Sequence, residues 1–392
     1  MVKSKLETSC SFRGLANTFR IIFFNLFSER RTPCRNTIRL WVQKIGYYEL
    51  TKPKEVSNDW IIILDMSVEV GQEKILLIYG VRKKNLSFSE ALKCSNLETL
   101  RTKVRKSWSA DDVTEVLKDL EKEIGTIIYV VSDSGANITK ALLNQGLKHV
   151  PDITHVIASI TKTMFKHNQA YSEVSSHMCK MRNDLFQTEA AFLIPPNQRH
   201  KSHYQNLKRF SDYLKSQLIY IKKKKYKKDL LHRKEQFVWI NKYELFIREL
   251  SELNDMISKI EKIVKVNGLS SKTVNDCKRI MKENKNQYVK ILQTKLGQYF
   301  KEVLSLFPNE KILCTSDIIE SAFGKYKNYL SQNPLSCVTN LCLSLAAFSS
   351  NLSKENIKLA LEATTVNDIK KWTLENIGTS LHQKRCQAYS FT

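Results

Sequence analysis

The sequence predicts a mixed α/β domain that follows a helix-turn-helix and is interrupted by a large all-helical insertion. Two apolar runs, 60–64 and 126–131, have the length and composition of buried strands, and an aspartate closely follows each. Between about 162 and 310 the strand signals vanish, and apolar residues recur at helical spacing. Strands followed by alternating strand and helix are typical of a sheet with helices packed on it.

The overall charge indicates a polyanionic partner. The 392 residues include 63 Lys and Arg against 39 Asp and Glu, which gives a formal net charge of +24. Basic side chains that neutralise phosphates release counterions, so double-stranded DNA is the simplest partner for such a surplus. The alternative is a soluble protein whose surface is merely strongly basic, and charge alone leaves that alternative open.

The cysteines predict neither a disulfide framework nor a zinc finger. There are nine, an odd number, and no two have C-x-x-C spacing, which suits a reducing compartment. His200 and His203 follow Cys179, but no fourth ligand has suitable spacing. The longest aromatic-aliphatic run, 21–27, is too short to cross a membrane. We therefore expect a cytoplasmic, nucleoid-associated protein with no membrane contact.

Residues 1–52 are predicted to form a helix-turn-helix. Apolar residues recur every three or four positions between 15 and 27, which predicts a first amphipathic helix. Thr32 and Pro33 then form a helix start signal, and Gly46 fits the C-terminal cap of the second helix. A short second helix with a basic polar face is the arrangement that enters the major groove of DNA.

The polar face of this second helix carries residue types that contact bases and phosphates. These candidate DNA-binding residues are Arg35, Asn36, Arg39, Gln43 and Lys44. The alternative for this region is an ordinary helical hairpin on a basic protein.

The segment 53–165 is predicted to hold the sheet. The strand that leads to Asp65 and a second strand over 74–81 are typical of an antiparallel hairpin. The remaining predicted elements are, in order, a helix from 109 to 125, a strand over 126–131, a helix over about 137–144 and a short strand near 154–160. The stretch 86–107 gives no clear prediction.

The segment 166–310 is predicted to be a basic helical insertion. Between Arg199 and Lys234 there are 13 Lys and Arg and two Asp, a net of +11. The centre of this basic stretch includes Lys222, Lys223, Lys224 and Lys225. A charge run of this kind forms either a surface that tracks phosphates or simply a solvated face.

The segment 311–392 contributes a candidate third acid. Thr315 or Ser316 can cap a helix whose first turns contain Glu320. Asp65, Asp133 and Glu320 then make a set of one acid from a first strand, one from a later strand end and one from a helix. Two hard divalent cations about 3.5–4 Å apart need such carboxylates, so the sequence predicts an acidic metal site that cuts and joins DNA.

These motifs resemble the DDE transposase/integrase superfamily. The resemblance covers most of the chain and depends on four segments, TPCRNTIRLWVQKIGYYEL, WIIILDMS, IIYVVSDSGAN and SDIIESAFGKYKN. It implies a ribonuclease-H-like core in which Asp65 and Asp133 hold a shared metal and Glu320 completes a second site, with two Mg²⁺ or Mn²⁺ ions. The 187 residues from Asp133 to Glu320 (320 − 133) are similar to transposases that insert an extra domain before the final helix.

The resemblance also has implications for partners. Lys327 stands seven residues after Glu320, as does a lysine in the motif of one insertion-sequence group, which implies a contact with a DNA phosphate. The tyrosine and arginine positions of that motif are Leu313 and Ser316, so only half of it is present. Because two element ends must be held together, the family implies a homodimer or a higher oligomer on DNA.

Each candidate acid has a simpler alternative. Asp133 can belong to a turn after a strand, Asp65 can terminate a strand, and Glu320 can be a solvated helix residue. Asp317, near the start of the same helix, competes with Glu320 as the third acid.

Two further side chains are weighed between structural and functional roles. His155 stands at the start of the predicted strand near 154–160, where a structural role is favoured over catalysis. Trp239 could stack on an unpaired base, as tryptophans in transposase insertion domains do. Its neighbours Phe237 and Ile240 favour burial in a core instead.

We therefore expect a DNA transposase that cleaves and transfers DNA strands at the ends of a mobile element. The predicted domains are 1–52, the first part of the core at 53–165, the insertion at 166–310, and the final core helices with a helical tail at 311–392. The alternatives are another two-metal nuclease on the same fold and a domesticated, non-catalytic DNA-binding protein.

Overall fold

The computed structural model describes residues 1–27, 32–68, 73–88, 92–197, 207–222, 235–330 and 337–390. The chain divides into two compact units. The first unit combines residues 1–152 with residues 315–392, and the second unit is residues 153–314. The second unit therefore interrupts the first in sequence, and it contains the predicted insertion.

A five-stranded mixed sheet forms the centre of the first unit. Its strands are β1 (Ser57–Val68), β2 (Lys74–Arg82), β3 (Glu98–Arg105), β4 (Gly125–Ser132) and β5 (His149–Pro151). Their order across the sheet is β3-β2-β1-β4-β5. The pairs β1–β2 and β2–β3 are antiparallel, whereas β1–β4 and β4–β5 are parallel. This confirms the mixed α/β class and the predicted β1–β2 pairing.

Sixteen α-helices are described. In the first unit, before the insertion, they are α1 (Val2–Glu7), α2 (Phe12–Phe27), α3 (Arg35–Thr51), α4 (Ala110–Ile124) and α5 (Ala136–Gln145). The second unit has α6 (Ile153–Phe165), α7 (Gln169–Leu185), α8 (Leu207–Lys222), α9 (Glu244–Asn267), α10 (Ser271–Lys282) and α11 (Gln287–Leu306). The first unit resumes with α12 (Asp317–Leu330), α13 (Leu343–Ala347), α14 (Lys354–Ala363), α15 (Val366–Asn376) and α16 (Leu381–Tyr389).

One face of the sheet packs on α4 and α5. The side chains of Ile62 and Leu64 lie in a buried cluster with residues of both helices, among them Leu117 and Leu142. Side chains alternate between the two faces of a strand, so Ile61, Ile63 and Asp65 point to the opposite face.

The opposite face is covered by helices from the C-terminal part of the first unit. The buried hydroxyl of Tyr79 donates a 2.7 Å hydrogen bond to the carbonyl oxygen of Leu345 in α13. Thr99 and Ser349 form a second buried hydrogen bond, 2.7 Å between their hydroxyl oxygens. The sheet therefore lies between two helical layers, as its almost wholly apolar central strands require.

Local signals account for the boundaries of α4. Ser109 and Asp112 cap the helix reciprocally: the Ser109 side chain accepts from the Asp112 amide, and the Asp112 carboxylate accepts from the Ser109 amide. Gly125 ends the helix with a positive φ of 91°, a conformation that glycine adopts readily. A Cβ atom at residue 125 would also lie 2.2 Å from the carbonyl oxygen of Ser57. The helix 109–125 was predicted from these same residues.

The α3 helix differs from its prediction at both ends. It begins at Arg35, after Cys34 as N-cap, and continues through Gly46 to Thr51. The prediction of Gly46 as a C-terminal cap was wrong, because this glycine permits a close contact between helices. A Cβ atom at residue 46 would lie 1.9 Å from the carbonyl oxygen of Leu343 in α13.

The segment after β4 also differs from its prediction. The short strand is β5 at His149–Pro151, and the predicted strand near 154–160 lies inside α6. The buried residues Ile153, Ile157 and Ile160 recur at steps of four and three, which is helical spacing. Strand β3 forms within the stretch 86–107, where no element was predicted.

The second unit is built from helices, as the sequence predicts. Helices α9, α10 and α11 pack on one another, and α6 packs on α11. Its first and last residues meet: the Ile153 amide donates a 3.0 Å hydrogen bond to the Cys314 carbonyl oxygen. Across the described parts of both units, no helix is long and apolar enough to span a membrane.

The close contact between α3 and α13 predicts that adding a methyl group at Gly46 destabilises the protein. We expect Gly46→Ala to lower the free energy of unfolding by about 1–3 kcal/mol, because the added Cβ atom must push the two helices apart. Urea unfolding followed by circular dichroism measures this change. Gly324→Ala is the matched control, since a Cβ atom at this position in α12 meets nothing within 4 Å. The control should be stabilising by about 0.5–1 kcal/mol, and equal effects at both positions would contradict the contact.

Candidate functional site

Three aspartates are aligned where the parallel pairing of three neighbouring strands ends. The register aligns the residues that precede them, which are Leu64, Ser132 and Pro151. Asp65, Asp133 and Asp152 each follow by one position. Neighbouring strands are about 4.8 Å apart, so the backbones of these aspartates are close. The sheet thus brings two predicted acids together and adds a third that was not predicted.

Asp65 is half-buried on the face of the sheet that α12 and α13 cover. Its side chain points to the opposite face of the sheet from that of Leu64, and its cross-strand partner in β2 is Leu77. One oxygen of its carboxylate accepts a 2.6 Å hydrogen bond from the amide of Met66. Helix α12 contacts both β1 and α13, so it lies on the face to which Asp65 points.

Asp133 is held in a tight turn after β4. Its Oδ1 atom accepts a 3.1 Å hydrogen bond from the Gly135 amide, which is the turn geometry that the simpler alternative describes. The ring of His149 lies near it and shares a 3.0 Å hydrogen bond with the Ser132 hydroxyl. Burial lowers the pKa of His149, whereas a hydrogen bond with the backbone of Ser132 and the charge of Asp133 oppose that shift.

Asp152 anchors the start of α12. Its side chain is 1% exposed, and it accepts 2.5 Å hydrogen bonds from both the amide and the hydroxyl of Ser316. Its own amide donates to the Ser132 carbonyl oxygen at 2.8 Å. Sequence reasoning missed this residue because it placed the strand at 154–160. A signal was present, since Asp152 follows the apolar Val150 and Pro151 as Asp133 follows its strand.

The contact between Asp152 and Ser316 places Glu320 one helical turn from the end of β5. The Glu320 amide donates to the carbonyl oxygen of Ser316 at 3.3 Å. The buried stripe of α12 consists of Ile319, Ala322, Phe323, Tyr326 and Leu330. At about 100° per residue, Glu320 and Lys327 lie within about 20° of each other at the border of this stripe. Both side chains are exposed, and the predicted helix with Glu320 in its first turns is confirmed.

Position on the helix and solvent exposure favour different residues, Glu320 and Asp317, as the third acid. The same helical geometry places Asp317 on the side of α12 opposite the buried stripe. Asp317 is nevertheless half-buried, whereas Glu320 is exposed. We favour Glu320 as the third acid, because a carboxylate at the border of the packed face can approach the sheet edge and still meet a substrate from solvent.

Asp65 lies inside β1, three residues before its end at Val68, and Asp133 directly follows β4. The chemistry of these two acids fits a hard divalent cation. Within the described parts of the chain, no three His, Cys, Asp or Glu side chains form a group that could hold a metal ion as they stand. Mg²⁺ is commonly held by only one or two carboxylates, with water and substrate phosphates completing its shell. Asp65 and Asp133, aligned on adjacent strands and partly exposed, supply such a donor pair.

The predicted recognition face of α3 is engaged largely within the first unit. Arg39 and Gln43 both donate to the side-chain oxygen of Asn340, at 3.2 and 2.7 Å, and Gln43 is 4% exposed. Lys44 donates to the carbonyl oxygen of Leu361 in α14 at 3.0 Å. Burial lowers the pKa of Arg39. Only Arg35 and Asn36 of the five candidates are exposed, and the DNA-binding role of this face stays a prediction.

The basic stretch at 199–234 is described only in part. Lys222, the last residue of α8, is exposed and forms an ion pair with Glu244. Lys223, Lys224 and Lys225 lie outside the described residues, as do His200 and His203. The role of this stretch in phosphate binding therefore stays a prediction.

Trp239 packs against side chains of the second unit. It lies in a 3-10 helix (Glu235–Tyr243), and its ring stacks on His177, with 4.5 Å between centroids and 15° between planes. Its indole N–H donates to the sulfur of Met181 at 3.2 Å. The ring is half-buried, so protein side chains already occupy part of the surface proposed for base stacking. His155 lies in α6 and not at a strand start, which corrects its predicted setting.

Comparison with solved structures shows distant similarity to a known protein. No family model matches the chain, and a search of the curated proteins finds no match. Among solved structures, the chain is similar to the Drosophila P element transposase strand transfer complex, with a TM-score of 0.43 and 11% sequence identity. The alignment covers 91% of this chain and 93% of that chain.

The Asp152–Ser316 contact predicts strong energetic coupling. We expect Asp152→Ala to lower the free energy of unfolding by about 2–4 kcal/mol, because it leaves the Ser316 amide and hydroxyl buried without an acceptor. Ser316→Ala should cost about 1.5–3 kcal/mol, since it removes one hydrogen bond to a charged group. The double variant, measured in the same urea titrations, should cost less than the sum. Effects that add to within about 0.5 kcal/mol would show that the contact does not anchor α12.

Proposed function

We propose that this protein is a DDE-type transposase, which cleaves DNA strands at the ends of a mobile element and transfers them to a target. One observation carries the proposal. Asp65 and Asp133 are aligned on adjacent parallel strands, and α12, which carries Glu320, packs on the face to which Asp65 points. Two acids from adjacent strands and one from a helix are the set that two-metal phosphodiester chemistry needs.

The proposed architecture has a ribonuclease-H-like core that contains an all-helical insertion. The five-stranded mixed sheet supports this core, and the interruption of the first unit by residues 153–314 supports the insertion. The proposal assigns DNA recognition to the region 1–52, where Arg35 and Asn36 remain exposed.

Asp65 and Asp133 would hold one Mg²⁺ or Mn²⁺ ion, and Glu320 would complete the site of a second. Bound there, the ions would supply Lewis-acid activation of a water or a 3′-hydroxyl and would neutralise charge on the leaving oxygen. The hydrogen bonds from Met66 and Gly135 fix one oxygen of each aspartate and orient both carboxylates. Orientation of this kind lowers the cost of organising the site during reaction.

Lys327 is proposed to position the DNA backbone beside the acids. It lies two helical turns from Glu320 on the same side of α12, and it is exposed. An ammonium group there can pair with a phosphate next to the scissile one, which holds the reacting strand against the site. A homodimer or higher oligomer on DNA follows from the proposed reaction, because two element ends must be joined together.

A non-catalytic DNA-binding protein is the second candidate. The net charge of +24 favours it, because affinity for a phosphate backbone needs no acidic site. The two candidates differ in one respect that can be measured: only the transposase requires its carboxylates and a divalent cation.

The transposase predicts metal-dependent strand cleavage by the purified full-length chain. The substrate is DNA that carries the flanking ends of its own gene, and products are resolved on denaturing gels. We expect cleavage in Mg²⁺ and none in EDTA. Asp65→Asn, Asp133→Asn and Glu320→Gln should each lower the rate by at least about 100-fold, because each removes a negative charge needed where metal-bound charge develops.

Asp317→Asn is the matched control for the third acid. It removes one carboxylate from the same helix, so it should keep cleavage close to the wild-type rate if Glu320 is the ligand. The opposite result, activity lost in Asp317→Asn and kept in Glu320→Gln, would transfer the role to Asp317. Tight DNA binding without cleavage by the wild-type chain under all metal conditions would favour the non-catalytic protein.

A further inference from the structure

The second unit has a groove between α10 and α11 that is lined by basic and neutral polar residues. Its volume is about 950 Å³. The lining residues are Asn275, Lys278, Arg279, Lys282, Lys290, Gln293, Thr294 and Gly297. Four of these eight residues are cationic and none is acidic. None of its lining residues is a sheet aspartate or belongs to the basic stretch at 199–234.

The positive charge along the groove exceeds the negative charge around it. The segment 271–306 contains eight Lys and Arg and three acids, a net of +5. Arg279 is paired within α10 by a 3.0 Å ion pair to Asp276. Lys278, Lys282 and Lys290 are exposed. Lys278 and Lys282 lie one turn apart, about 6 Å along the helix axis, so their ammonium groups can reach different phosphates.

The neutral lining residues match a phosphodiester backbone. Amide side chains such as those of Asn275 and Gln293 are common donors to phosphate and sugar oxygens. The hydroxyl of Thr294 instead donates to the carbonyl oxygen of Lys290 within α11, at 3.1 Å. Gly297 presents no side chain, and a Cβ atom there would meet nothing within 4 Å. A glycine in the middle of α11 costs about 0.5–1 kcal/mol relative to alanine, and in return the helix backbone is open to close approach.

We propose that this groove between α10 and α11 binds the sugar-phosphate backbone of DNA without reading its sequence. The inference shares only its DNA partner with the proposed function and does not depend on catalysis. Lysines with interspersed neutral donors in a groove suit a line of phosphates.

The first test measures how many phosphate contacts the groove makes. The full-length variant Lys278→Gln/Lys282→Gln/Lys290→Gln is titrated with a short fluorescent duplex of arbitrary sequence, and anisotropy is recorded at several salt concentrations. We expect affinity to fall about tenfold or more. The slope of log K against log[salt] should become shallower by about 2–3, since each lost contact removes about 0.9.

A charge-matched control separates the groove from the net charge. Lys180→Gln/Lys259→Gln/Lys262→Gln removes three exposed lysines from α7 and α9, outside the groove. It should change affinity and slope much less than the groove variant. Equal losses in the two triple variants would mean that only the overall charge matters, and this would overturn the proposal.

The second test uses Gly297, where a new side chain has room. Gly297→Glu places a carboxylate in the groove, and Gly297→Gln adds a neutral side chain of the same shape. Both should fold, because the position is open. We expect Gly297→Glu to weaken DNA binding several-fold more than Gly297→Gln. Equal affinities, or weakened binding to anionic lipid vesicles with DNA binding intact, would overturn the proposal.

Failure of this proposal and failure of the proposed function are distinguishable. If the groove variants lose affinity while no form of the protein cleaves DNA, the groove is established and the transposase is not. If metal-dependent cleavage depends on Asp65 while the groove variants bind DNA normally, the transposase stands and the groove does not.

Discussion

The contact between Asp152 and Ser316 is the constraint on which the candidate site depends. It joins residues 164 positions apart and is buried. A buried carboxylate is costly unless its oxygens accept hydrogen bonds, and Ser316 supplies two donors, one from the backbone and one from the side chain. Because Ser316 directly precedes α12, satisfying Asp152 fixes the start of that helix at the sheet edge.

The sheet register supplies the second half of the site. Parallel strands in register place their last residues side by side, so each aspartate that ends the parallel pairing approaches the next one. Carboxylates on neighbouring strands, about 4.8 Å apart, repel one another, and only a cation, a proton or nearby hydrogen-bond donors can stabilise them. Asp152 is buried and accepts two hydrogen bonds from Ser316, whereas Asp65 and Asp133 are partly exposed and each accept a backbone hydrogen bond. Asp65 and Asp133 are therefore suited to binding a ligand, and Asp152 has a structural role.

Local sequence signals predicted the elements that form locally. The strands before Asp65 and Asp133 follow from their apolar composition, and α4 follows from its caps. Features that depend on distant partners were missed. Gly46 has the residue type of a cap, but its role is set by the carbonyl of Leu343, about three hundred residues away in sequence. The predicted recognition residues Arg39 and Gln43 are basic and polar, and nothing local indicates that Asn340 would accept their hydrogen bonds.

The Asp152–Ser316 contact also explains how a long insertion can separate the sheet from α12 in sequence without displacing that helix. The second unit begins and ends at one point, where Ile153 donates to Cys314. An insertion whose ends meet imposes little strain on the chain that holds it. The residues flanking that point are Asp152 and Thr315, immediately beside the Asp152–Ser316 contact. The hydrogen bonds to Asp152 thus close the first unit across the interruption, and the position of Glu320 depends on this closure and not on the length of the insertion.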